Sequence, residues 1–442
     1  MLPGRPHGGR SLRSIPRHGL SAEAPTEIPR LTDHLFRHEA GKLVSALTGI
    51  FGIHRLQMAE DVVQEAMVRA LQTWPYHGIP ENPAAWLMQT AKRRALDLIR
   101  REKFFRENLP EITATLEQWP EEETPPFDDE IKDGRLRLMF ACCHPDLPQD
   151  AQTALALKTL CGFSPAEIAS AFLTTEAAIA KRLTRARQRI AELGIPFEIP
   201  EGTELSSRLD GVLRILYLLF NEGYSASSGD SVVRGELCQE AIRLAESLAT
   251  HPAADHPRMH ALLSMMLLNA ARLPAREDLR GNILLLKDQD RTRWDRSLIA
   301  RGLVHLHESA AGRDLTEYHL QAGIAACHST ASDYDDTDWP RILAHYDRWL
   351  EISASPVVAL NRAVAYGQVH GAAAGIAELE AIRDQGHLDG YYFFHAVLGD
   401  FQERLGQLEA AAASFTRALQ LTAVKQEQLF LTDRLRACLT RE

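Results

Sequence analysis

A run of basic residues at helical spacing is the strongest chemical signal in the sequence. Residues 176–190 read EAAIAKRLTRARQRI and carry one acid, Glu176. The bases are Lys181, Arg182, Arg185, Arg187 and Arg189. Apolar residues recur every three or four positions, at Ile179, Leu183, Ala186 and Ile190. This spacing predicts a helix with one buried face. The other face can bind nucleic acid without covalent chemistry, because its cations pair with phosphates while its N-terminal residues reach base edges.

The residues before this run predict a shorter helix and a tight turn. Ser164 is a natural N-cap, with Pro165 at the first helical position and Glu167 three residues on, which makes a capping box. Leu173 and Thr174 form the turn, and Thr175 caps the next helix. The pattern is typical of a helix-turn-helix. We expect bases to be contacted by Thr175, Glu176, Ala177 and Lys181, and the DNA backbone by Arg182, Arg185 and Arg187. The alternative is a solvated basic helix in a bundle.

A second basic helix is predicted at residues 91–103, AKRRALDLIRREK. Its first bases are Lys92, Arg93 and Arg94. A loop rich in Pro and Gly precedes it, framed by Trp74, Tyr76 and Trp86. Aromatic rings beside cations suit single-stranded nucleic acid, because an unstacked nucleobase can lie against a ring while the Lys and Arg side chains pair with the phosphates. Alternatively, Trp86 is a core residue.

The segment AEDVVQEAMVRAL, residues 59–71, predicts a helix with an acidic ridge. Its apolar face comprises Ala59, Val62, Val63, Ala66, Met67, Ala70 and Leu71. The opposite face carries Glu60, Asp61, Gln64 and Glu65. Asp61 and Glu65 lie one turn apart, where like charges cost a few tenths of a kcal/mol. The ridge is therefore either solvent-exposed decoration or a docking surface for a basic partner.

Length and composition favour a soluble chain of several domains. The 442 residues exceed one compact core, and the hydrophobic fraction of 45% is ordinary. A net charge of −10 argues against a general nucleic-acid binder, although it averages over local basic blocks. No apolar run approaches the ~20 residues of a membrane span. Six scattered cysteines indicate a reducing compartment, so we expect a cytoplasmic protein without membrane contact.

The pattern along the chain is helical throughout, and we predict an all-α fold. Residues 111–133 carry nine acids against one base and read as an extended acidic linker between two helical blocks. The first thirty residues lack an apolar signal core and are expected to be a disordered tail, or to follow from a start codon placed too far upstream. Near the C-terminus, Leu398–Gly399 followed by Ala411, Phe415 and Ala418 match a tetratricopeptide helix pair. A weaker copy has Ala365, Ala377 and Ala381; a generic helical bundle is the alternative.

Enzymatic and metal chemistry find little support. Cys142-Cys143-His144 lacks the spacing of a structural zinc site, and no second ligand pair follows. The histidines at 251, 256, 260, 305 and 307 are interpreted as ordinary surface or hydrogen-bonded residues. No glycine-rich phosphate loop or nucleophile elbow is present. We therefore expect no enzyme activity, no metal and no cofactor.

Together these motifs resemble a bacterial extracytoplasmic-function sigma factor, a small RNA polymerase specificity subunit of the sigma-70 family. The resemblance covers residues 31–195, with the motifs in the family's order. It implies that Asp61, Gln64 and Glu65 contact the polymerase clamp coiled coil. It also implies that the 74–86 loop and Lys92–Arg94 contact the melted −10 element, and that the 175–187 helix reads the −35 element. The flap of core polymerase and promoter DNA are the other implied partners.

The expected domains are a tail (1–30), sigma region 2 (31–106), an acidic linker (107–134), sigma region 4 (135–195) and a helical extension (196–442). In the last, FNEGYSASSGD (220–230) and SPVVALNRAVAYG (355–367) resemble a subgroup whose tetratricopeptide-like extension takes part in control, through a regulatory protein or ligand. The alternative function is a helix-turn-helix regulator with a tetratricopeptide sensor that is not a polymerase subunit. Region 2 discriminates between the two, because such a regulator does not require it.

Overall fold

The computed structural model describes residues 39–101, 128–172, 174–200, 202–225, 233–251, 254–278, 281–422 and 424–440. Within these ranges the chain is built from helices, and the β-structure consists of a single bridge between Glu277 and Ile283. The predicted all-α fold is therefore confirmed. The tail predicted at residues 1–30 lies outside the described residues.

Helices of the first half form two units. The N-terminal unit contains α1 (residues 39–51), α2 (Leu56–His77) and α3 (Pro83–Arg101). The helix-turn-helix unit contains α4 (Asp128–Cys142), α5 (Gln149–Cys161), α6 (Pro165–Ala171) and α7 (Glu176–Leu193). A short 3-10 turn, Ile53–Arg55, joins α1 to α2.

The remaining helices form the C-terminal extension. They are α8 (Gly202–Tyr224), α9 (Gly235–Ala249), α10 (Pro257–Ala270), α11 (Arg296–Ser309), α12 (Glu317–Thr330), α13 (Trp339–Ile352), α14 (Pro356–His370), α15 (Ala372–Ile382), α16 (Tyr392–Arg404), α17 (Leu408–Leu421) and α18 (Lys425–Thr440).

The acidic linker is shorter than the sequence predicts. Helix α4 begins at Asp128, so residues 128–133 are helical rather than extended. Their acidic composition is compatible with this position, because negative charge is favourable in the first turn of a helix. The rest of the predicted linker up to residue 127 lies outside the described residues.

Helix α2 buries most of the apolar face that its spacing predicts. Ala59, Val62, Val63, Ala66 and Ala70 are buried, and Leu56 and Trp74 extend this face along the helix. The prediction is wrong for Leu71, which is exposed, and Met67 is only half-buried. Both lie at the edge of the buried stripe, where the neighbouring helices no longer cover the surface.

One continuous core joins the N-terminal unit, the helix-turn-helix unit and the first helices of the extension. It runs from Leu43 in α1 through Leu138 in α4 to Met266 in α10. Arg135 of α4 forms a buried ion pair with Glu240 of α9 and also donates to the Leu160 carbonyl at 3.2 Å. Burial alone would raise the pKa of Glu240, but Arg135 and Arg243 outweigh it and lower the pKa. The extension is therefore packed onto the helix-turn-helix unit by an ionised pair as well as by apolar surface.

The last helices pack against one another as sequential pairs, which we call hairpins. In the α16–α17 hairpin, Ala411, Phe415 and Ala418 are buried, and a Cβ at Gly399 would come within 2.8 Å of the Phe415 ring. This is the close approach that the predicted small residue permits. In the preceding hairpin Ala365 is buried, but Ala377 and Ala381 are exposed, so the weaker copy does not share the packing. The tetratricopeptide assignment stays a prediction.

Two further properties bear on function. Among the described residues, no helix has the length and apolarity to cross a membrane. All six cysteines are buried as free thiols.

Candidate nucleic-acid interface and docking ridge

The helix-turn-helix is held by the caps that the sequence predicts. The Ser164 backbone N–H donates to the Glu167 carboxylate at 2.8 Å, and the Glu167 N–H donates to the Ser164 hydroxyl oxygen at 3.1 Å. Thr175 caps α7, because its hydroxyl oxygen accepts from the Ala178 N–H at 3.3 Å. These reciprocal bonds satisfy N–H groups that the first turn of a helix leaves open. The capping box fixes where α6 begins, and Thr175 fixes where α7 begins.

The N-terminal part of α7 presents a polar surface. Its buried residues are Ile179, Leu183, Ala186 and Ile190, as the spacing predicts. Five of the predicted DNA-contacting residues are exposed: Thr175, Glu176, Ala177, Lys181 and Arg185. Such a surface can enter a major groove, since side chains at the helix start reach base edges and cations flank them.

Two arginines predicted to hold the DNA backbone are engaged within the protein. Arg182 lies 3.8 Å from a carboxylate oxygen of Asp150, and its guanidinium is 5.3 Å from the centroid of the Phe172 ring. Arg187 pairs with Glu60 of α2, at 2.6 Å between Nη2 and Oε2. The prediction that Arg187 is available to phosphates therefore does not fit this arrangement, in which only 15% of its side chain is exposed.

Glu60 is the centre of a contact between the N-terminal unit and the helix-turn-helix unit. It is buried, and it accepts a hydrogen bond from the Thr159 hydroxyl at 2.9 Å in addition to pairing with Arg187. The expectation that Glu60 lies on the open ridge is wrong, because α5 and α7 cover this position. We call Glu60, Thr159 and Arg187 the closing contact.

The carboxyl of Glu60 is buried, and its pKa is raised above the ordinary value. Burial raises this pKa, and the opposing effects of Arg187, Thr159 and Lys158 offset burial only in part. The ionised carboxylate of the closing contact is therefore stabilised by Arg187, Thr159 and Lys158 and opposed by its burial.

The docking ridge, Asp61, Gln64 and Glu65, is exposed on α2. Asp61 accepts a hydrogen bond from the Gln57 side chain at 2.7 Å. Glu65 forms an ion pair with Arg94 of α3, and a second bond from Arg94 Nη2 measures 3.2 Å. The like-charge cost between Asp61 and Glu65 is thus relieved by α3. This acidic ridge can bind a basic helix of a partner protein. The exposed ion pair between Glu65 and Arg94 contributes little stability, so Glu65 can exchange Arg94 for a cation of the partner at little cost in free energy.

The aromatic residues predicted at the −10 element divide into two groups. Trp74 is 1% exposed and packs edge-on against half-buried Trp86, with centroids 5.5 Å apart. Trp74 is therefore a core residue of α2, and the prediction that it contacts a base is corrected: its ring faces are covered by protein. Tyr76 is 85% exposed and remains able to stack on a base.

The cations at the start of the α3 basic segment also differ in accessibility. Lys92 is buried, Arg93 is exposed, and Arg94 is held by Glu65. Arg93 and Tyr76 are thus the predicted −10 residues that the described surface presents most openly.

The closing contact cannot be predicted from the sequence. Glu60 is one of four adjacent polar positions, and only the approach of α5 and α7 separates it from the other three. A cleft of about 230 Å³ lies beside it, lined by residues of both units, including Gln64, Lys158 and Glu167. The docking ridge therefore borders the junction between the two units.

Comparison with known proteins adds three family matches. Residues 35–105 match Sigma-70 region 2, and residues 137–190 match Sigma-70 region 4. Residues 208–310 match a family of unknown function, DUF6596. The chain is 39% identical over 384 residues to an uncharacterized protein of Rhizobium meliloti (strain 1021), covering 86% of this chain and 90% of the relative. No solved structure matches the chain.

Proposed function

Because the chain belongs to the extracytoplasmic-function sigma factors, in a form with a C-terminal extension, we propose that it directs core RNA polymerase to a specific set of promoters. The helix-turn-helix unit reads −35 duplex through the N-terminal end of α7, and the N-terminal unit captures the melted −10 strand. The observation that supports this most is the exposed polar start of α7, where Thr175 caps the helix. The site of action would be the cytoplasm, where promoter DNA and polymerase meet.

The mechanism requires binding energy and no bond-breaking step. Duplex contacts along α7 and polymerase contacts along the docking ridge offset the few kcal/mol needed to unstack bases at −10. Tyr76 is an exposed ring on which an unstacked base could lie, and Arg93 is an exposed cation of the same unit that could pair with a phosphate. We assign no catalytic role to any residue.

The closing contact has to open for this function. Elements near −10 and −35 are separated by about 25 base pairs, or roughly 85 Å of duplex. Glu60 and Arg187 touch, so the two units cannot serve both elements at once in this arrangement. The chain between α3 and α4 has 26 residues, and its full extension would reach about 90 Å. We propose that the closing contact is the resting state and that polymerase binding separates the units.

The C-terminal extension is proposed to regulate this opening. Glu240 of α9 forms an ion pair with Arg135 of α4, so the extension contacts the helix-turn-helix unit directly. A cleft of about 570 Å³ between α11, α12 and α13 offers a place for a regulatory ligand or protein segment, with His319, His345 and Arg341 among its polar residues.

The test of the whole proposal is capture of core RNA polymerase by the purified full-length protein at low salt. Sigma function requires capture, followed by run-off transcription across a genomic fragment library. Failure to capture polymerase, with DNA binding retained, would instead favour a helix-turn-helix regulator that is not a polymerase subunit.

Replacement of Arg185 by alanine should weaken promoter binding with little change in sequence preference. Arg185 is exposed on α7 beyond the base-reading positions, so we expect it to pair with a phosphate. Loss of one such pair lowers the slope of log K against log salt by about one. Fluorescence anisotropy across a salt series measures this, with Gln188→Ala on the same helix as the control. A change in which promoters are chosen would contradict the placement of Arg185 on the backbone.

Combining Gln64→Ala with Glu65→Arg should abolish polymerase capture. The double change removes the amide and reverses one charge of the docking ridge, so a basic partner is repelled. Because Glu65→Arg also breaks the pair with Arg94, Arg94→Ala is the matched control: it breaks the same pair and leaves the ridge acidic. Co-purification with core polymerase in the absence of DNA is the measurement. If the double variant captures polymerase as well as Arg94→Ala and the wild-type chain do, the ridge is only solvated.

A further inference from the structure

Three side chains that are separated in the sequence meet between α10 and α11. The Nδ1 atoms of His260 and His305 lie 2.9 Å apart. A carboxylate oxygen of Glu308 lies 3.1 Å from the first and 2.9 Å from the second. Three potential donor atoms therefore form a nearly equilateral triangle, which is unlike a chain of hydrogen bonds.

The close crossing of the two helices creates this triangle. Ser264, one turn after His260, donates to the carbonyl oxygen of Gly302 at 2.8 Å. A Cβ at Gly302 would lie 2.7 Å from Leu268, so the glycine permits the backbones to approach. His305 follows Gly302 by three residues and Glu308 follows by six, which places both on the same face of α11. The Ser264 hydrogen bond and the close approach at Gly302 thus set the separation of α10 and α11, and this separation brings the three side chains together.

A fourth residue orients His260. A carboxylate oxygen of Asp255 lies 2.8 Å from its Nε2. This bond keeps the proton on Nε2 and leaves the Nδ1 lone pair pointing at the triangle. A carboxylate behind a histidine is the arrangement that fixes metal-ligating imidazoles in proteins.

We propose that His260, His305 and Glu308 bind one divalent transition-metal ion, with Zn²⁺ as the probe. Donor atoms bound to one such ion at about 2.1 Å lie roughly 3 to 3.4 Å apart, close to the distances of the triangle. Two imidazoles and one carboxylate suit borderline metals rather than Ca²⁺ or Mg²⁺, which prefer oxygen ligands. Glu308 is 44% exposed and His260 only 13%, so the ion would enter from the Glu308 side.

The site lies within residues 208–310, the segment that matches a family of unknown function. It does not rest on the sigma function, because α10 and α11 contain none of the predicted polymerase or DNA contacts. A bound ion would join two helices of the extension by bonds that protons and chelators can remove. The extension would then carry a metal-dependent element in the same continuous core as α9, whose Glu240 pairs with Arg135 of α4.

The experiment is titration of chelator-treated full-length protein with Zn²⁺ by isothermal calorimetry, repeated with Co²⁺ and followed by visible absorption. We expect one ion per chain and a rise in melting temperature on binding. His305→Ala and Glu308→Gln should each lower the affinity at least 100-fold. Asp255→Asn should lower it about 10- to 100-fold, because Asp255 only positions His260.

The matched control is His307→Ala, which removes an exposed histidine from the same helix and should leave the titration unchanged. Far-UV circular dichroism establishes that each variant is folded, and Glu308→Gln is a conservative change on the exposed side of the site. Stoichiometric Zn²⁺ binding that persists in both His305→Ala and Glu308→Gln would overturn the proposal, as would the absence of binding to the wild-type chain. In either case the three residues form only a hydrogen-bonded cluster, and the proposed sigma function is unaffected.

Discussion

Replacement of Glu60 by lysine should separate the N-terminal unit from the helix-turn-helix unit. The substitution puts a cation beside Arg187 and Lys158 and removes the acceptor of the Thr159 hydroxyl. Loss of one partner of a buried pair costs about 3–5 kcal/mol. Since tenfold in an equilibrium constant is about 1.4 kcal/mol, we expect the population to shift to the open form and duplex affinity to rise at least tenfold, because Arg187 is released.

The separation can be measured directly by energy transfer between dyes on α3 and α7. Cysteines introduced at the exposed positions Asp97 and Gln188 would carry the dyes, because the six native cysteines are buried. Glu192→Lys is the control, since it makes the same charge change at an exposed position near the end of α7. We expect transfer to fall for Glu60→Lys and to stay high for the control. Equal transfer in both would mean that apolar packing alone holds the units together.

Removal of the Glu240 carboxylate should destabilise the protein strongly. In Glu240→Ala the guanidinium of Arg135, which is 3% exposed, keeps only the Leu160 carbonyl as a described partner. We expect the free energy of unfolding to fall by about 3–5 kcal/mol. Urea denaturation followed by circular dichroism measures this. Asp433→Ala is the control, because it breaks the exposed pair with Arg436 and should change stability by about 1 kcal/mol or less.

A double replacement completes this test. Arg135→Met with Glu240→Leu removes both charges and fills their volume with apolar groups, which is often neutral for a buried pair. We therefore expect most of the lost stability to return. If the double variant is as unstable as Glu240→Ala, the loss arises from altered packing between α4 and α9 rather than from an uncompensated charge.

The buried pair also changes how the role of the extension should be tested. The sequence alone suggests deleting residues 200–442 and comparing promoter activity with and without the extension. In the structure this deletion would remove the partner of Arg135 and uncover part of a continuous core. Point changes at the α4–α9 contact therefore separate regulation from folding better than the truncation does.

Local spacing in the sequence determined the helices, the capping box at Ser164 and Glu167, and the buried face of α7. These features depend on residues three or four positions apart, and such neighbours meet in any helix. For the same reason the exposure of Asp61, Gln64 and Glu65 could be read from the periodicity of α2.

Packing between distant segments sets which polar residues are exposed and which are engaged within the protein. Glu60 and Thr159 lie 99 residues apart, Arg135 and Glu240 lie 105 apart, and His260 and His305 lie 45 apart. Nothing in the local pattern distinguishes Glu60 from Asp61 or His305 from His307. Their roles arise from which other helix covers each position, and that depends on packing between distant segments. The same packing turned Trp74 from a predicted base contact into a core residue.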